Sequence, residues 1–333
     1  MRKTILLPAS VGIAMLLACA LAILAAIASA PTATADSIDT GASFAVRCDF
    51  SHRAPVDPIK YPYPPGNPPG GDQADSHSHD FFGNTTTQYN STYDGTEQVD
   101  PPNPAPLSMI GQPTTCTRPE DTAGYWIPTV SWKDSTGKLT TLQSNRGVFY
   151  YRAGLKNYRT VQPFAPNLRD INDQRITWFC GINDNSAGSA TPPTRCSGGV
   201  LSLKIVFPDC VAKDPTTGGQ VIDSPDHESH MAKSKLQNGD TRVCPSAYPI
   251  PVPTLTVNIS FPMPTTSGTV VLSSGDASTI HADFWNTWNQ DAQPSAPVDG
   301  STQGLKYLVK HCINEVPPDQ TRPVECRAPS ATG

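Results

Sequence analysis

The clearest strand pattern in the chain is VLSLKIVF, residues 200–207. Every second residue from Leu201 to Phe207 is large and apolar, and the residues between them are polar until Val206 interrupts the alternation. Because successive side chains of a strand point to opposite faces of a sheet, this pattern predicts a strand with one face towards an apolar core.

Six more short windows have strand-like composition: residues 125–132, 139–142, 147–152, 175–179, 255–261 and 269–272. Helices are disfavoured, because the 333 residues include 35 prolines and 24 glycines, and proline is roughly twice as frequent as usual. Short helices are expected at residues 305–312, where apolar residues follow helical spacing, and at residues 283–291. The sequence therefore predicts a mainly β fold, a single-domain antiparallel β-sandwich or jelly roll with a few short helices.

The N-terminal segment predicts export from the cell. Residues 1–35 begin with two basic residues, continue with a long apolar stretch and end in small residues, which is typical of a cleaved signal peptide. The stretch is also long enough to be an uncleaved membrane anchor. Lipidation of Cys19 is disfavoured, because it would leave apolar residues at the new N-terminus without a polar tether. We expect four segments: a signal peptide at residues 1–35, a disordered lead-in at 36–45, the β-rich domain at 46–315 and a proline-rich tail at 316–333.

Cysteine usage agrees with export. Apart from Cys19 the chain has eight cysteines, and an even number in an exported protein predicts four disulfides. Their pairing stays open, although the third and fourth, and the seventh and eighth, are close enough in sequence to close short loops. No CxxC pair occurs, which disfavours zinc ribbons and thioredoxin chemistry. The eight are Cys48, Cys116, Cys180, Cys196, Cys210, Cys244, Cys312 and Cys326.

The charge balance narrows the range of partners. The chain has 24 Lys and Arg against 29 Asp and Glu, with no long basic cluster. Binding a phosphate backbone requires a concentration of positive charge on the protein, so a nucleic-acid partner is excluded. We expect a secreted monomer whose partner is an extracellular glycan or the cell wall, with membrane contact only if the N-terminal segment is retained.

Histidines are the most informative residues. Only seven occur, yet five fall into three tight groups. His77 and His79 share a face if their segment is extended, and His281 shares a face with Asp283 for the same reason. His227 and His230 are three residues apart, a spacing that places both on one side of a helical turn.

These groups predict a site in which all five imidazoles meet in one cleft. Neutral imidazoles bind divalent transition metals, so His77, His79, His230 and His281 are candidate ligands of zinc or copper. Carboxylates orient rings or accept protons, and we expect Asp226, His227 and Asp283 to be catalytic. Two alternatives stay open: acid–base chemistry without a metal, and histidines that only form hydrogen bonds with the backbone of a polar β-protein.

Aromatic residues near these groups offer a second signal. Trp and Tyr rings stack on the C–H faces of sugars when they are exposed. Tyr125, Trp126 and Trp285 are therefore candidate substrate-binding residues, and the alternative is that they fill the core.

Three blocks of sequence carry a resemblance to a known family: HSHDFFGN at residues 77–84, DSPDHESHMA at 223–232 and HADFWN at 281–286. With shorter matches between them, the chain from about residue 46 to 312 resembles secreted proteins of fungi and actinobacteria catalogued as a domain of unknown function. The resemblance implies a single secreted domain. Because members of the family are sometimes joined to carbohydrate-binding modules, it also favours a function that acts on cell walls or polysaccharides. The chain departs from the family pattern after Cys210, where a usual Trp-Asp-Gly step is absent.

The functional expectation is a metal-assisted or acid–base hydrolase or lyase of extracellular polysaccharide. The first alternative is a non-catalytic wall-binding or glycan-binding surface protein, in which the same cleft holds a glycan without changing it. The second is a structural surface protein in which the histidines only support the fold.

Overall fold

A computed structural model describes residues 41–59, 77–96, 106–144, 146–154, 156–182, 188–237, 239, 241–293, 303–317 and 319–327. These residues belong to one compact unit, Asp39–Gly333. The signal peptide expected at residues 1–35 lies outside the described residues. Within the described ranges, no helix combines the length and the hydropathy that crossing a bilayer requires.

The described residues form twenty strands. In chain order they are β1 Ser43–Ala54, β2 His79–Gly83, β3 Ser91–Thr92, β4 Leu107–Ser108, β5 Gly124–Pro128, β6 Val130–Asp134, β7 Leu139–Thr141, β8 Arg146–Arg152, β9 Arg169–Asn172, β10 Ile176–Cys180, β11 Val200–Val206, β12 Cys210–Val211, β13 Met231–Ala232, β14 Lys235–Gln237, β15 Thr241–Val243, β16 Ile250–Pro251, β17 Thr254–Pro262, β18 Gly268–Leu272, β19 Gly275–Asp276 and β20 Ala282–Trp285.

Helical structure is sparse. An α-helix, α1 (Leu305–Val309), continues as a π-helical turn, Lys310–Asn314. Short 3₁₀ turns occur at Tyr158–Thr160, Ala277–Thr279 and Val324–Cys326. The helix expected at residues 305–312 is thus present.

Nine of the strands belong to one large curled sheet, in the order β10-β11-β17-β8-β1-β2-β5-β20-β9. A four-stranded sheet, β19-β18-β6-β7, and three smaller sheets complete the fold. Paired strands are antiparallel, except for the short parallel pair β3 and β4. The predicted mainly β, antiparallel class with few short helices is confirmed.

The alternating stretch at residues 200–207 forms β11, which lies between β10 and β17. Leu201, Leu203 and Ile205 are fully buried, as the alternation predicts. The other six predicted windows also contain strands. The helix expected at residues 283–291 was wrong, because β20 occupies residues 282–285, buried on both faces, and residues 286–291 are not helical.

Two apolar clusters explain why β2, β5 and β20 are buried on both faces. The main core lies on one side and includes Phe82, Tyr125 and Phe284. A smaller cluster packs against the opposite side. It consists of Val56, Ile59, Phe81, Met109, Trp126 and Trp285. Alternate residues along one strand therefore enter different cores.

The structure contains four disulfides, as predicted: Cys48–Cys116, Cys180–Cys196, Cys210–Cys244 and Cys312–Cys326. Both pairs that are close in sequence form short loops.

Two expected boundaries need correction. The lead-in was expected to reach residue 45, but β1 begins at Ser43 and pairs there with β8. Part of the tail is also ordered, since Arg118 donates hydrogen bonds to the carbonyl oxygens of Glu325 and Arg327. The tail is thus held by a buried guanidinium as well as by its disulfide.

Candidate metal centre

Two strands of the large sheet supply the candidate ligands. His79 is the first residue of β2, and His77 lies two residues before it. Asp283 lies in β20, and His281 immediately precedes that strand. Strand β5 separates β2 from β20. Because side chains alternate, each pair shares a face, and the sheet brings the two pairs together on the face of the smaller cluster.

The three histidines point their Nε2 atoms at a common point. Nε2 of His281 is 3.3 Å from Nε2 of His77 and 3.3 Å from Nε2 of His79. One nitrogen from each of the three rings lies within 4.8 Å of the other two. Sequence positions more than 200 residues apart therefore form one cluster.

Hydrogen bonds to the backbone fix which ring nitrogen carries the proton. Nδ1 of His79 is 2.8 Å from the carbonyl oxygen of Val56, and Nδ1 of His281 is 3.0 Å from that of Thr279. A carbonyl oxygen can only accept, so each Nδ1–H donates and each neutral ring carries its lone pair on Nε2. Lone pairs facing each other at this distance repel, and a shared cation relieves that repulsion.

Ion pairing stiffens the strand that carries two of these rings. Asp80, between His79 and Phe81, points to the other side of β2 and is fully buried. Arg53 donates to its two carboxylate oxygens, at 2.6 and 2.9 Å. This bidentate pair holds β2 against β1, so the position of His79 is set before any ligand binds.

Asp283 lies beside the cluster. Its side chain is completely buried, and Oδ2 lies 3.7 Å from Nε2 of His281. Its oxygens are outside the set of mutually close ligand atoms formed by the three histidines. The carboxyl of Asp283 thus lies next to the cluster without belonging to its set of three ligand atoms.

The nitrogen spacing fits a tetrahedral ion. Zn–N bonds of about 2.0–2.1 Å at tetrahedral angles place neighbouring nitrogens roughly 3.3–3.4 Å apart. Right-angled coordination, which Cu²⁺ favours, would place them only about 2.9 Å apart at similar bond lengths. The cluster therefore offers three imidazoles, of which His79 and His281 have anchored Nδ1 atoms, and two of its nitrogen separations match those around a tetrahedral ion.

The second histidine group does not join this cluster. His227 and His230 lie in the loop before β13. The carbonyl oxygen of His227 accepts a hydrogen bond of 2.9 Å from the backbone of Ile171, and Ile171 pairs with Asp283. The backbone of His227 is thus about 10 Å, or two strand spacings, from that of Asp283. The expected meeting of five imidazoles is corrected to a cluster of three.

Both rings of this second group are bound within their own loop. Nδ1 of His227 donates to Asp223 at 2.7 Å, and the backbone of His227 is left-handed with φ 59°. Ser224 donates its hydroxyl proton to Asp226, so it can only accept from Nδ1 of His230, at 3.0 Å. The predicted role of His230 as a ligand of the cluster is therefore withdrawn.

Asp226 organises this loop. Its Oδ1 accepts from the hydroxyl of Ser224 at 2.7 Å and from the backbone nitrogens of Glu228 and Ser229 at 3.1 and 2.9 Å. These hydrogen bonds, led by that from Ser229, hold the pKa of Asp226 well below its usual range. It stays ionised at neutral pH as a turn-forming residue, so the predicted catalytic role finds no support in its geometry.

The three predicted sugar-binding aromatics lie in the core. Tyr125, Trp126 and Trp285 are 2%, 1% and 1% exposed. The hydroxyl of Tyr125 donates to buried Asp121, while the two tryptophans pack in the smaller cluster. Rings this deeply buried offer no face to a sugar, so we assign them packing roles.

Sequence reasoning missed two parts of the site. The carbonyl oxygens of Val56 and Thr279 orient rings of the cluster, and backbone acceptors leave no signal in the residue types. The order of strands in the sheet was equally invisible.

Comparison with known proteins agrees with the resemblance seen in the sequence. A family model described as a domain of unknown function (DUF1996) matches residues 69–288, about two thirds of the chain. The chain belongs to this family. The matched region contains both histidine groups, including all three residues of the cluster. No curated protein and no solved structure matches the chain.

Proposed function

We propose that His77, His79 and His281 bind one zinc ion and that the protein is a metal-assisted hydrolase or lyase of extracellular polysaccharide. The observation that carries the metal proposal is the convergence of three Nε2 atoms, two of whose separations are 3.3 Å. Three protein ligands with a further position left for water are typical of catalytic zinc sites, whereas structural sites use four protein ligands.

The chemistry would depend on few groups. A bound zinc ion lowers the pKa of a coordinated water to about 7 and polarises an oxygen of the substrate. The protein holds the rings of His79 and His281 in place through the carbonyl oxygens of Val56 and Thr279. Asp283, buried beside His281, is the carboxylate best placed to accept a proton at this site.

Support for an extracellular polysaccharide substrate comes from the rest of the chain. Four disulfides are typical of proteins that work outside the cell. Net charge is −5 and the sequence has no basic cluster, which disfavours phosphate-rich polymers. The resemblance to a family whose members are sometimes joined to carbohydrate-binding modules points in the same direction.

Zinc titration tests the metal proposal. Protein purified without an affinity tag is dialysed against a chelator and titrated with zinc and copper salts by calorimetry. We expect one zinc per chain, bound more tightly than by the His281→Ala variant. The matched control is His311→Ala, because His311 pairs with Glu315 and lies outside the cluster. Absence of stoichiometric zinc binding by the native chain would refute the proposal.

A second assay tests the reaction. Zinc-loaded protein is incubated with a panel of cell-wall polysaccharides, and products are analysed for new reducing ends, which indicate hydrolysis, and for unsaturated ends, which indicate elimination. We expect products from the native chain and none from His281→Ala. Retention of a polysaccharide without products, unchanged in His281→Ala, would favour the non-catalytic glycan-binding alternative.

A further inference from the structure

A cavity of about 410 Å³ lies where the outer strand β9 meets the segments around residues 228–235 and 245–248. Its size falls within the range of small-molecule sites. The residues that line it include Asp170, Gln174, Glu228, Lys233, Lys235 and Tyr248. None of the three histidines of the metal cluster lines it.

Asp170 is one of the residues that line this cavity. It pairs with Phe284 across β9 and β20, and directly opposed residues share a face, so its side chain lies on the side of the main core. It is 1% exposed, and neither carboxyl oxygen has a hydrogen-bond partner among the described residues. A buried polar group without hydrogen-bond partners lowers the free energy of unfolding. Such a group therefore indicates a functional role, such as binding a ligand.

The environment of Asp170 favours the neutral form of its carboxyl. Burial raises its pKa well above the usual range, and the negative charges of Glu228 and Asp223 raise it further. A protonated carboxyl offers one O–H donor and one carbonyl acceptor side by side. A ligand that satisfies both must itself donate and accept.

The remaining walls indicate a ligand without net charge. Lys233 and Lys235 would repel a cationic ligand, and Glu228 would repel an anionic one. Lys233 is already engaged, since its ammonium donates to Gln174 at 2.7 Å. The other walls are mostly apolar and include the half-buried ring of Tyr248, which suits C–H surfaces.

We propose that this cavity binds one or two neutral sugar units, whose hydroxyl groups form hydrogen bonds with the carboxyl of Asp170. Sugars combine C–H faces with hydroxyls that both donate and accept, which matches each part of the wall. Sugar binding in this cavity does not depend on a metal ion at the histidine cluster. It rests on the proposed function only for the class of polymer, an extracellular polysaccharide, from which these sugar units would come.

Titration with neutral oligosaccharides tests this proposal. Cello-, xylo-, manno- and chito-tetraoses are titrated into chelator-treated protein and, separately, into zinc-loaded protein. We expect at least one to bind in both forms. Asp170→Leu keeps the side-chain size and removes both polar atoms, so binding weakens about tenfold. Asp170→Asn keeps a donor and an acceptor, so its affinity stays within about threefold of the native value.

Controls separate this site from general effects. Asp291→Asn makes the same exchange at an exposed position that does not line the cavity, and it leaves binding unchanged. If Asp170→Leu does not fold, Tyr248→Ala removes a wall at the opening and must weaken binding instead.

The proposal is overturned if no neutral tetraose binds, if Asp170→Leu or Tyr248→Ala folds and binds like the native chain, or if only cationic chitosan oligomers bind. Sugar binding without zinc binding would remove the metal centre and retain this inference. Zinc binding without sugar binding would do the reverse.

Discussion

Two histidine groups of this protein look alike in sequence and differ in structure. In the cluster, Nδ1–H of His79 and of His281 each donates a hydrogen bond to a backbone carbonyl oxygen. The Nε2 lone pairs of these two rings therefore face one another. In the loop, Nδ1 of His227 and of His230 bind side chains of the same loop, and their geometry stabilises a turn. The convergence of ring nitrogens from different strands therefore separates the candidate metal site from the structural loop, and the number of histidines does not.

The supports of the two groups differ as well. Cluster residues belong to or flank strands inside the nine-stranded sheet, where both faces are covered. The loop group rests on a left-handed residue, His227, and on the side-chain hydrogen bonds of Asp226. A site on strands is positioned more rigidly than one on a loop, which suits preformed coordination.

The largest expected effect is on zinc affinity. His281→Ala removes one of three ligands, and we expect affinity to fall by more than about 100-fold, the upper range for loss of an outer partner. His227→Ala should change it less than about threefold, because that ring lies outside the cluster. Competition with a chromogenic chelator measures both constants. Equal losses would abolish the distinction between the two groups.

The next effect is on stability. A zinc ion that binds only the folded chain, as proposed, should stabilise it by about 2.7 kcal/mol when free zinc is at 100 times the dissociation constant. We expect Tm to rise with zinc for the native chain and for His230→Asn, and to stay constant for His281→Ala. Differential scanning calorimetry measures the three curves. A zinc-dependent rise in His281→Ala would place the bound metal elsewhere.

A smaller effect should follow from Asp170, whose pKa the loop carboxylates raise together with burial. As pH rises above the usual pKa of Asp, the unfolded chain ionises while folded Asp170 keeps its proton, so the free energy of unfolding decreases. Asp170→Asn removes this loss. We expect the variant to gain stability relative to the native chain between about pH 3 and 7.

Urea unfolding at the two ends of this range measures the gain, with Asp291→Asn as the control for an exposed carboxylate paired with a lysine. A constant difference between Asp170→Asn and the native chain at both pH values would show that Asp170 is ionised in the folded state.

The strands were predictable where one face is apolar. Alternation located β11 because only one side of it needed large residues at each second position. It failed for β20, whose four residues are all buried because two clusters cover the strand. A run without alternation does not distinguish a doubly buried strand from a short helix.

The site was predictable within each strand and not between strands. The two-residue steps His77 to His79 and His281 to Asp283 correctly place each pair on one face. Which pairs meet depends on β5 lying between β2 and β20, and strand order comes from the packing of the whole sheet. Asp170 had no motif around it, since its importance lies in burial without a partner.

The smallest effect concerns His230 and tests the structural role of the loop. The ring is 2% exposed, and burial lowers its pKa, against the opposing charges of Asp223 and Asp226. Below about pH 6.5 the unfolded chain therefore takes up a proton that the folded chain does not. The free energy of unfolding decreases as pH falls from this value through the lower pKa of the folded state.

His230→Asn should remove this component of the pH dependence, while the amide of Asn can still donate to Ser224. Urea unfolding of both proteins without metal, at several values between about pH 5 and 7.5, gives the two slopes. We expect the native chain to lose more stability towards acid than the variant. Equal slopes would mean that the folded loop accommodates a charged imidazole, as a polar binding site would, and the contrast between the two histidine groups would then have to rest on zinc affinity alone.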